Sequence, residues 1–173
     1  MKRLTPQILT ALLLPLVLLP ATLAASPPEP KPAAPTGQHV MVNGSEVKWG
    51  DAPPALERGA QAAVLAGDPG QVGGLFVLRL KLPPGFRIAR HWHPSDEHVT
   101  VIEGDLSLDM GDAAQAHSAA FKQGDYVLLP AHMPHMASTT GGAIVQVHAM
   151  GPFELNYVDP KDDPRQRAPA AAK

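Results

Sequence analysis

Turn-forming residues recur at short intervals along this chain and leave only strand-length segments between them. The 173 residues include 20 Pro and 15 Gly, which interrupt regular structure and favour tight turns. The clearest turn signals are Asn43-Gly44, Asp68-Pro69-Gly70, Pro83-Pro84-Gly85, Glu103-Gly104-Asp105, Gly124-Asp125 and Gly141-Gly142. This spacing predicts an all-β barrel or sandwich.

The segments between these turns alternate with the period of a half-buried strand. Leu78, Leu80 and Leu82 alternate with Arg79 and Lys81, and further along Leu106, Leu108 and Met110 alternate with Ser107 and Asp109. Side chains two residues apart lie on the same face of a strand, so one face of each segment is apolar. No long stretch has the 3.6-residue period of a helix and no internal repeat is evident, which predicts a single barrel unit.

The N-terminus has the features of an export signal. Lys2 and Arg3 precede an apolar run from Ile8 to Leu19, and small residues follow it. We expect residues 1–25 to be a signal peptide cleaved near Ala24 or Ala25, which makes the mature protein secreted or periplasmic. A membrane anchor is the alternative, but the run is shorter than the roughly 20 residues that a spanning helix needs. No stable membrane insertion is expected after cleavage.

Composition divides the remainder into a linker, one domain and a tail. Residues 26–36 are rich in Pro and Ala and predict an extended linker. Residues 37–158 contain the strand pattern and predict the domain. Residues 159–173 mix both signs of charge with several prolines, and we expect a disordered tail there.

Charge and cysteine content exclude several classes of function. The formal net charge is −2 and the chain has no cysteine. No basic stripe is present to neutralise phosphates, so a nucleic-acid partner is not expected. Without thiolates, any metal must be bound by nitrogen and oxygen atoms.

The segment from Gly85 to Gly104 contains the candidate metal ligands. His91 and His93 are two residues apart, so on a strand their side chains project from the same face. Pro94 and Ser95 follow, and a strand that starts near Glu97 can return a carboxylate to the same point. A third imidazole can come from His135 on a later strand.

These residues resemble the first motif of the cupin family, G(X)5HXH(X)3E(X)6G. Gly85, His91, His93, Glu97 and Gly104 match it without a gap or substitution. The second cupin motif, G(X)5PXG(X)2H(X)3N, is matched at Gly124, Pro130 and His135, whereas His132 replaces its glycine and Thr139 replaces its asparagine. The resemblance implies an RmlC-like jelly-roll β-barrel with one divalent transition metal bound by His91, His93, Glu97 and His135.

Four further residues are candidates for the pocket or for contacts to the ligands. His132 replaces the glycine of a tight turn, and it is a candidate ligand or pocket residue. His98 follows Glu97, so alternation predicts that it faces away from the ligands. Gln146 and His148 lie on a later strand and are candidates to line the pocket. No catalytic residue can be assigned beyond the ligands themselves.

Three imidazoles and one carboxylate suit Mn, Fe, Co, Ni, Cu or Zn. Four protein ligands would complete a zinc shell and leave it closed, whereas a six-coordinate metal keeps two open positions. The leading hypothesis is therefore a metal-dependent enzyme, such as an oxygenase, that acts on a small oxygenated molecule. The alternatives are a binding module that captures a small ligand or a metal without turnover, and a purely structural metal barrel.

The resemblance also implies a possible homodimer, in which the segment from Val40 to Trp49 extends the partner's sheet. Imidazole must be neutral to bind a metal, so the sequence also predicts metal loss below roughly pH 6.

Overall fold

The computed structural model describes residues 39–167, and the predicted signal peptide and the linker lie outside them. Ten strands follow one another: β1 Gly50–Asp51, β2 Gln61–Ala66, β3 Leu75–Leu82, β4 Arg87–Trp92, β5 Glu97–Met110, β6 His117–Lys122, β7 Tyr126–Leu129, β8 His135–Ser138, β9 Ala143–Met150 and β10 Asn156–Tyr157. Among the described residues the only helical elements are short 3-10 turns. The prediction of an all-β domain is confirmed.

The strands form one antiparallel sheet that curls on itself. Their order is β1-β2-β3-β9-β5-β8-β4-β10, and β6 and β7 pair with the two halves of β5. The two ends of this order are therefore β1–β2 on one side and β10 on the other. The sheet is a half-barrel whose concave face contains the core.

Strand β5 bends at Gly104 and belongs to both halves of the sheet. Its first half buries Glu97, Val99 and Val101, whereas its second half buries the even-numbered Leu106 and Leu108. An extra residue at the bend shifts the alternation by one, so both halves direct apolar side chains inward. The pairing with β9 also shifts register in this region.

Gly104 is required at the bend by its backbone conformation and by its surroundings. Its φ is +81°, and a Cβ atom built on it would lie 2.0 Å from the carbonyl oxygen of Gly142. Only glycine combines this conformation with so close an approach of two backbones. Gly85, the first glycine of the motif, also has a positive φ of +74° but faces open space.

The core fills the concave side of the half-barrel. Alternate residues of β3 and β9 point into it, and Phe76, Val101, Val147 and Leu129 are its largest fully buried side chains. Burying an aliphatic or aromatic side chain of this kind stabilises a fold by about 1.5–3 kcal/mol. The core therefore holds the strands that carry the candidate ligands.

The end of the chain is more ordered than its composition predicted. Residues 160–162 and 164–166 form two 3-10 turns, each preceded by an aspartate whose side chain accepts a backbone hydrogen bond. The Arg165 side chain also donates to the carbonyl oxygen of Leu155 at 3.0 Å. Residues 159–167 of the expected tail are therefore structured. Residues 168–173 lie outside the described range.

No helix within residues 39–167 is long and apolar enough to cross a membrane.

Candidate metal centre

Two neighbouring strands bring three histidines together. His91 lies near the end of β4, His93 follows that strand by one residue, and His135 is the first residue of β8. His91 and His135 are direct partners across the β4–β8 pair. One ring nitrogen from each imidazole lies within 4.8 Å of those of the other two. The i, i+2 spacing read from the sequence therefore places both His91 and His93 beside His135.

Backbone carbonyl groups fix the orientation of all three rings. Nδ1 of His91 donates to Ala89 at 2.7 Å, Nδ1 of His93 to Glu154 at 2.7 Å and Nδ1 of His135 to Met133 at 3.0 Å. Each ring is thereby held in the tautomer whose Nε2 has a free lone pair. Metal-binding histidines in proteins are oriented by bonds of this kind.

Glu97 brings a carboxylate to two of these rings. Its Oε2 lies 3.4 Å from Nε2 of His93 and 3.5 Å from Nε2 of His135. Glu97 is the first residue of β5 and its side chain faces inward. The return of the chain through Pro94 and Ser95 thus delivers an oxygen to the edge of the imidazole cluster.

All four side chains are almost completely removed from solvent. The relative exposures are 3% for His91, 3% for His93, 8% for Glu97 and 2% for His135. Phe153 covers one side, because its ring stacks on His93 with the centroids 4.2 Å apart and the planes inclined by 13°. Nothing in the local sequence signals this contact, since it joins residues sixty positions apart.

Burial keeps the imidazoles of His91 and His93 neutral. It lowers the pKa of His91 to about 3, with further contributions from His135 and His93. Burial also lowers the pKa of His93 below 6.5. Neutral imidazole is the form that binds a metal.

The carboxylate is held in its charged form. Burial alone would raise the pKa of Glu97, but its proximity to His135, His93 and His91 brings it below 4.5. Near neutral pH the centre therefore contains two neutral imidazoles, His91 and His93, and one anionic oxygen donor, with the His135 ring beside them.

An observation that does not depend on the cupin motif also indicates that these four residues can bind a metal ion. Nε2 of His93 is buried and has no hydrogen-bond partner among the described residues. A buried polar atom without a partner costs roughly 1–3 kcal/mol, so such atoms are rare unless a ligand occupies them. Coordination of a cation would use this lone pair.

A small apolar chamber lies beneath the centre inside the half-barrel. It encloses about 40 Å³. His91, Glu97 and His135 form its polar end, and the remaining described residues of its wall are aliphatic, from Leu80 and Leu82 to Val145 and Val147. The chamber has room for one or two water-sized molecules.

His132 occupies the tight turn before β8. Its φ of +62° lies in the left-handed region that favours glycine, which is the residue at this position of the resembled motif. Its backbone N–H donates to the carbonyl oxygen of His93 at 2.8 Å, and its exposed ring lies 5.0 Å from that of Trp92. The turn is therefore kept despite the substitution, and His132 lies outside the three-histidine group.

The other three candidate pocket residues lie on the convex face of the sheet. Nδ1 of His98 is 2.6 Å from the hydroxyl of Tyr126. Gln146 accepts a hydrogen bond from Arg79 at 3.0 Å and its amide nitrogen lies 3.5 Å from His148. None of the three lines the chamber, because the inward residues of these strands are their sequence neighbours.

Comparisons with known proteins agree with this architecture. A family model with the description "Domain of unknown function (DUF4437)" matches residues 15–156. No curated protein sequence matches the chain significantly.

Several solved structures have the same fold as this chain. The polyketide cyclase RemF from Streptomyces resistomycificus superposes with a TM-score of 0.61 at 18% identity, covering 73% of this chain and 90% of that one. An RmlC-like cupin from Shewanella frigidimarina gives 0.52 at 16% identity, covering 67% and 94%. The Mn(II)-containing oxalate decarboxylase of Bacillus subtilis gives 0.52 at 20% identity, covering 72% of this chain but only 34% of that one. At these identities the likeness establishes the fold. The chain has the cupin fold and belongs to the DUF4437 family.

Proposed function

We propose that this cupin binds one divalent transition metal through Nε2 of His91, His93 and His135 and through the carboxylate of Glu97. The observation that supports it best is the buried cluster of three imidazoles whose Nδ1 atoms are all engaged by carbonyl groups. The unpartnered Nε2 of His93 points to the same conclusion. The donor set suits Mn, Fe, Co, Ni, Cu or Zn.

We further propose a metal-dependent enzyme, an oxygenase or a related type, that acts on a small oxygenated molecule. A metal bound here would supply Lewis-acid polarisation or activation of dioxygen. The chain's own contribution is to fix the ring tautomers, to place the Glu97 charge and to exclude water with an apolar wall. Two structural neighbours are named as enzymes, and one of them is described with Mn(II) centres.

A binding module without turnover is the second candidate, and the chamber favours it. Among the described residues that line the chamber, no titratable group is present besides His91, Glu97 and His135. An enzyme that moves protons would need one of these groups or a group on the substrate itself.

Export remains part of the proposal. A mature N-terminus near Ala25 or Ser26, determined by mass spectrometry of protein from the native compartment, would support it. An intact Met1 would contradict it.

Elemental analysis of the purified protein tests the metal site. We expect about one equivalent of metal in the wild type, almost none in the double variant His91→Ala, His93→Ala, and an unchanged amount in His98→Ala. The last variant removes a histidine from the convex face and is the matched control. Equal metal content in all three proteins, or none in the wild type, would contradict the proposal.

Binding of an anion to the metal distinguishes a metal with an open coordination position, as an enzyme requires, from a metal whose coordination is complete. If the metal keeps an open position, azide should change the visible spectrum of the Co(II)-loaded protein. An unchanged spectrum at millimolar azide would favour the binding module or a structural metal.

A further inference from the structure

A second, much larger cavity opens where the two ends of the curled sheet face each other. It encloses about 460 Å³, against about 40 Å³ for the chamber beneath the metal centre. Pockets that bind small organic molecules have volumes in this range. Its wall includes Val64, Leu78, Leu80, Phe153, Asn156 and Arg165. We call it the seam cleft.

The two walls of the seam cleft differ in polarity. The wall formed by β2, β3 and the turn at 53–56 is entirely apolar, whereas the polar members all come from residues 154–165. Arg165 is neutralised by a two-pronged ion pair with Asp163, in which Nε and Nη2 each lie 2.8 Å from a carboxylate oxygen. The cleft therefore has an apolar side and a polar side whose guanidinium charge is already compensated.

Asn156 gives the polar side a free hydrogen-bond donor. Its Nδ2 is buried and has no partner among the described residues. An amide nitrogen left in this state is costly, and an acceptor oxygen on a bound molecule would satisfy it.

The seam cleft is adjacent to the metal centre. Phe153 belongs to its wall and stacks on the ring of His93. Leu80 lines both the seam cleft and the chamber. These two side chains are thus the partition between the large cavity and the ligand cluster.

We propose that the seam cleft binds the body of the substrate: an uncharged, largely apolar small molecule whose acceptor oxygen bonds to Asn156. This inference rests on the proposed function in treating that molecule as the substrate of the metal centre. The chamber is too small for an organic molecule of this size, whereas the seam cleft, which shares Leu80 with the chamber, accommodates one. Movement of Leu80 or Phe153 would join the two spaces.

Methyl NMR of the full-length protein, titrated with 2-acetylnaphthalene, tests the inference. This probe has an apolar body and a single carbonyl acceptor. We expect saturable shifts in the methyl signals of Val64, Leu78 and Leu80. Shifts confined to other methyl groups, or none at millimolar probe, would overturn the proposal.

A pair of substitutions locates the binding. Val64 is 53% exposed and lines the cleft, so Val64→Trp should fill it and weaken binding at least tenfold with little effect on folding. Val72 is 82% exposed and lies outside the cleft, so Val72→Trp should change affinity less than twofold. Equal affinities in the two variants would place the probe elsewhere.

A second comparison tests the acceptor. The wild type should prefer 2-acetylnaphthalene to 2-isopropenylnaphthalene, in which a CH2 group replaces the carbonyl oxygen at nearly the same shape, and Asn156→Leu should abolish the preference. A preference kept in Asn156→Leu would overturn the assigned hydrogen bond. Metal content is measured on the same samples. Probe binding without metal in the wild type would refute the metal site alone, and metal without probe binding would refute the seam cleft alone.

Discussion

The buried histidines make a quantitative prediction about the metal-free protein. The pKa of His91 is lowered from 6.5 to about 3 in the folded state, so between these values the unfolded chain binds a proton that the folded chain does not. The free energy of unfolding must then fall as the pH falls, by about 1.4 kcal/mol per pH unit well below pH 6.5. Between pH 7.5 and pH 5 the loss from this one residue amounts to about 2 kcal/mol.

The other titratable groups of the cluster do not mask the effect of His91 on the free energy of unfolding between pH 5 and pH 7.5. The lowered pKa of His93 acts in the same direction. Glu97 has a pKa below 4.5, so stability due to its charge is lost only at lower pH. The change in stability between pH 5 and pH 7.5 therefore reports the lowered pKa values of His91 and His93.

Urea denaturation with a chelator present measures the effect. The wild type should lose stability steeply as the pH falls from 7.5 to 5, and His91→Asn should reduce the slope. His117→Asn is the matched control, because His117 is exposed and lies outside the cluster. A wild-type stability independent of pH in this range, or an unchanged slope in His91→Asn, would refute the reasoning.

Two further predictions concern the groups that shape the site. Gly104→Ala should destabilise the fold by about 3 kcal/mol, because a positive φ and the contact with the Gly142 carbonyl both oppose a Cβ atom. Gly85→Ala should cost only about 1 kcal/mol, since its Cβ atom meets open space; equal losses in urea denaturation would contradict the argument. Phe153→Leu should weaken Co(II) binding about tenfold by loosening His93, as measured by competition with a chelator. Unchanged affinity would show that the stacked ring does not support the ligand.

The sequence predicted the strands and the proximity of His91 to His93 because both depend on local spacing, whereas His135 was assigned to the same site through the resemblance to the cupin motifs. Alternation in β3 identified the inward residues of that strand, and the same period of two placed His91 and His93 on one face. Gln146 and His148 were wrongly considered for the pocket, because the inward residues of β9 are their neighbours. The alternation of side chains along a strand also predicted that His98, next to Glu97, faces away from the cluster. The turn at His132 was the uncertain point, since nothing local shows that a non-glycine residue adopts a φ of +62°.

The features missed by sequence reasoning depend on contacts between distant segments. The carbonyl group that orients His93 belongs to Glu154, and the ring that covers it belongs to Phe153. Residues 159–167 looked like a tail because their composition is polar and rich in proline, yet Asp163 and Arg165 pair there and fix them. The seam cleft was equally invisible, because it arises where the two ends of the sheet meet.

The most direct test of the central claim is an anomalous diffraction map from crystals of the metal-loaded protein. We predict a single strong peak about 2.0–2.3 Å from Nε2 of His91, His93 and His135 and from one oxygen of Glu97. A peak coordinated by other residues, or no peak at this cluster in protein that contains one equivalent of metal, would contradict the account.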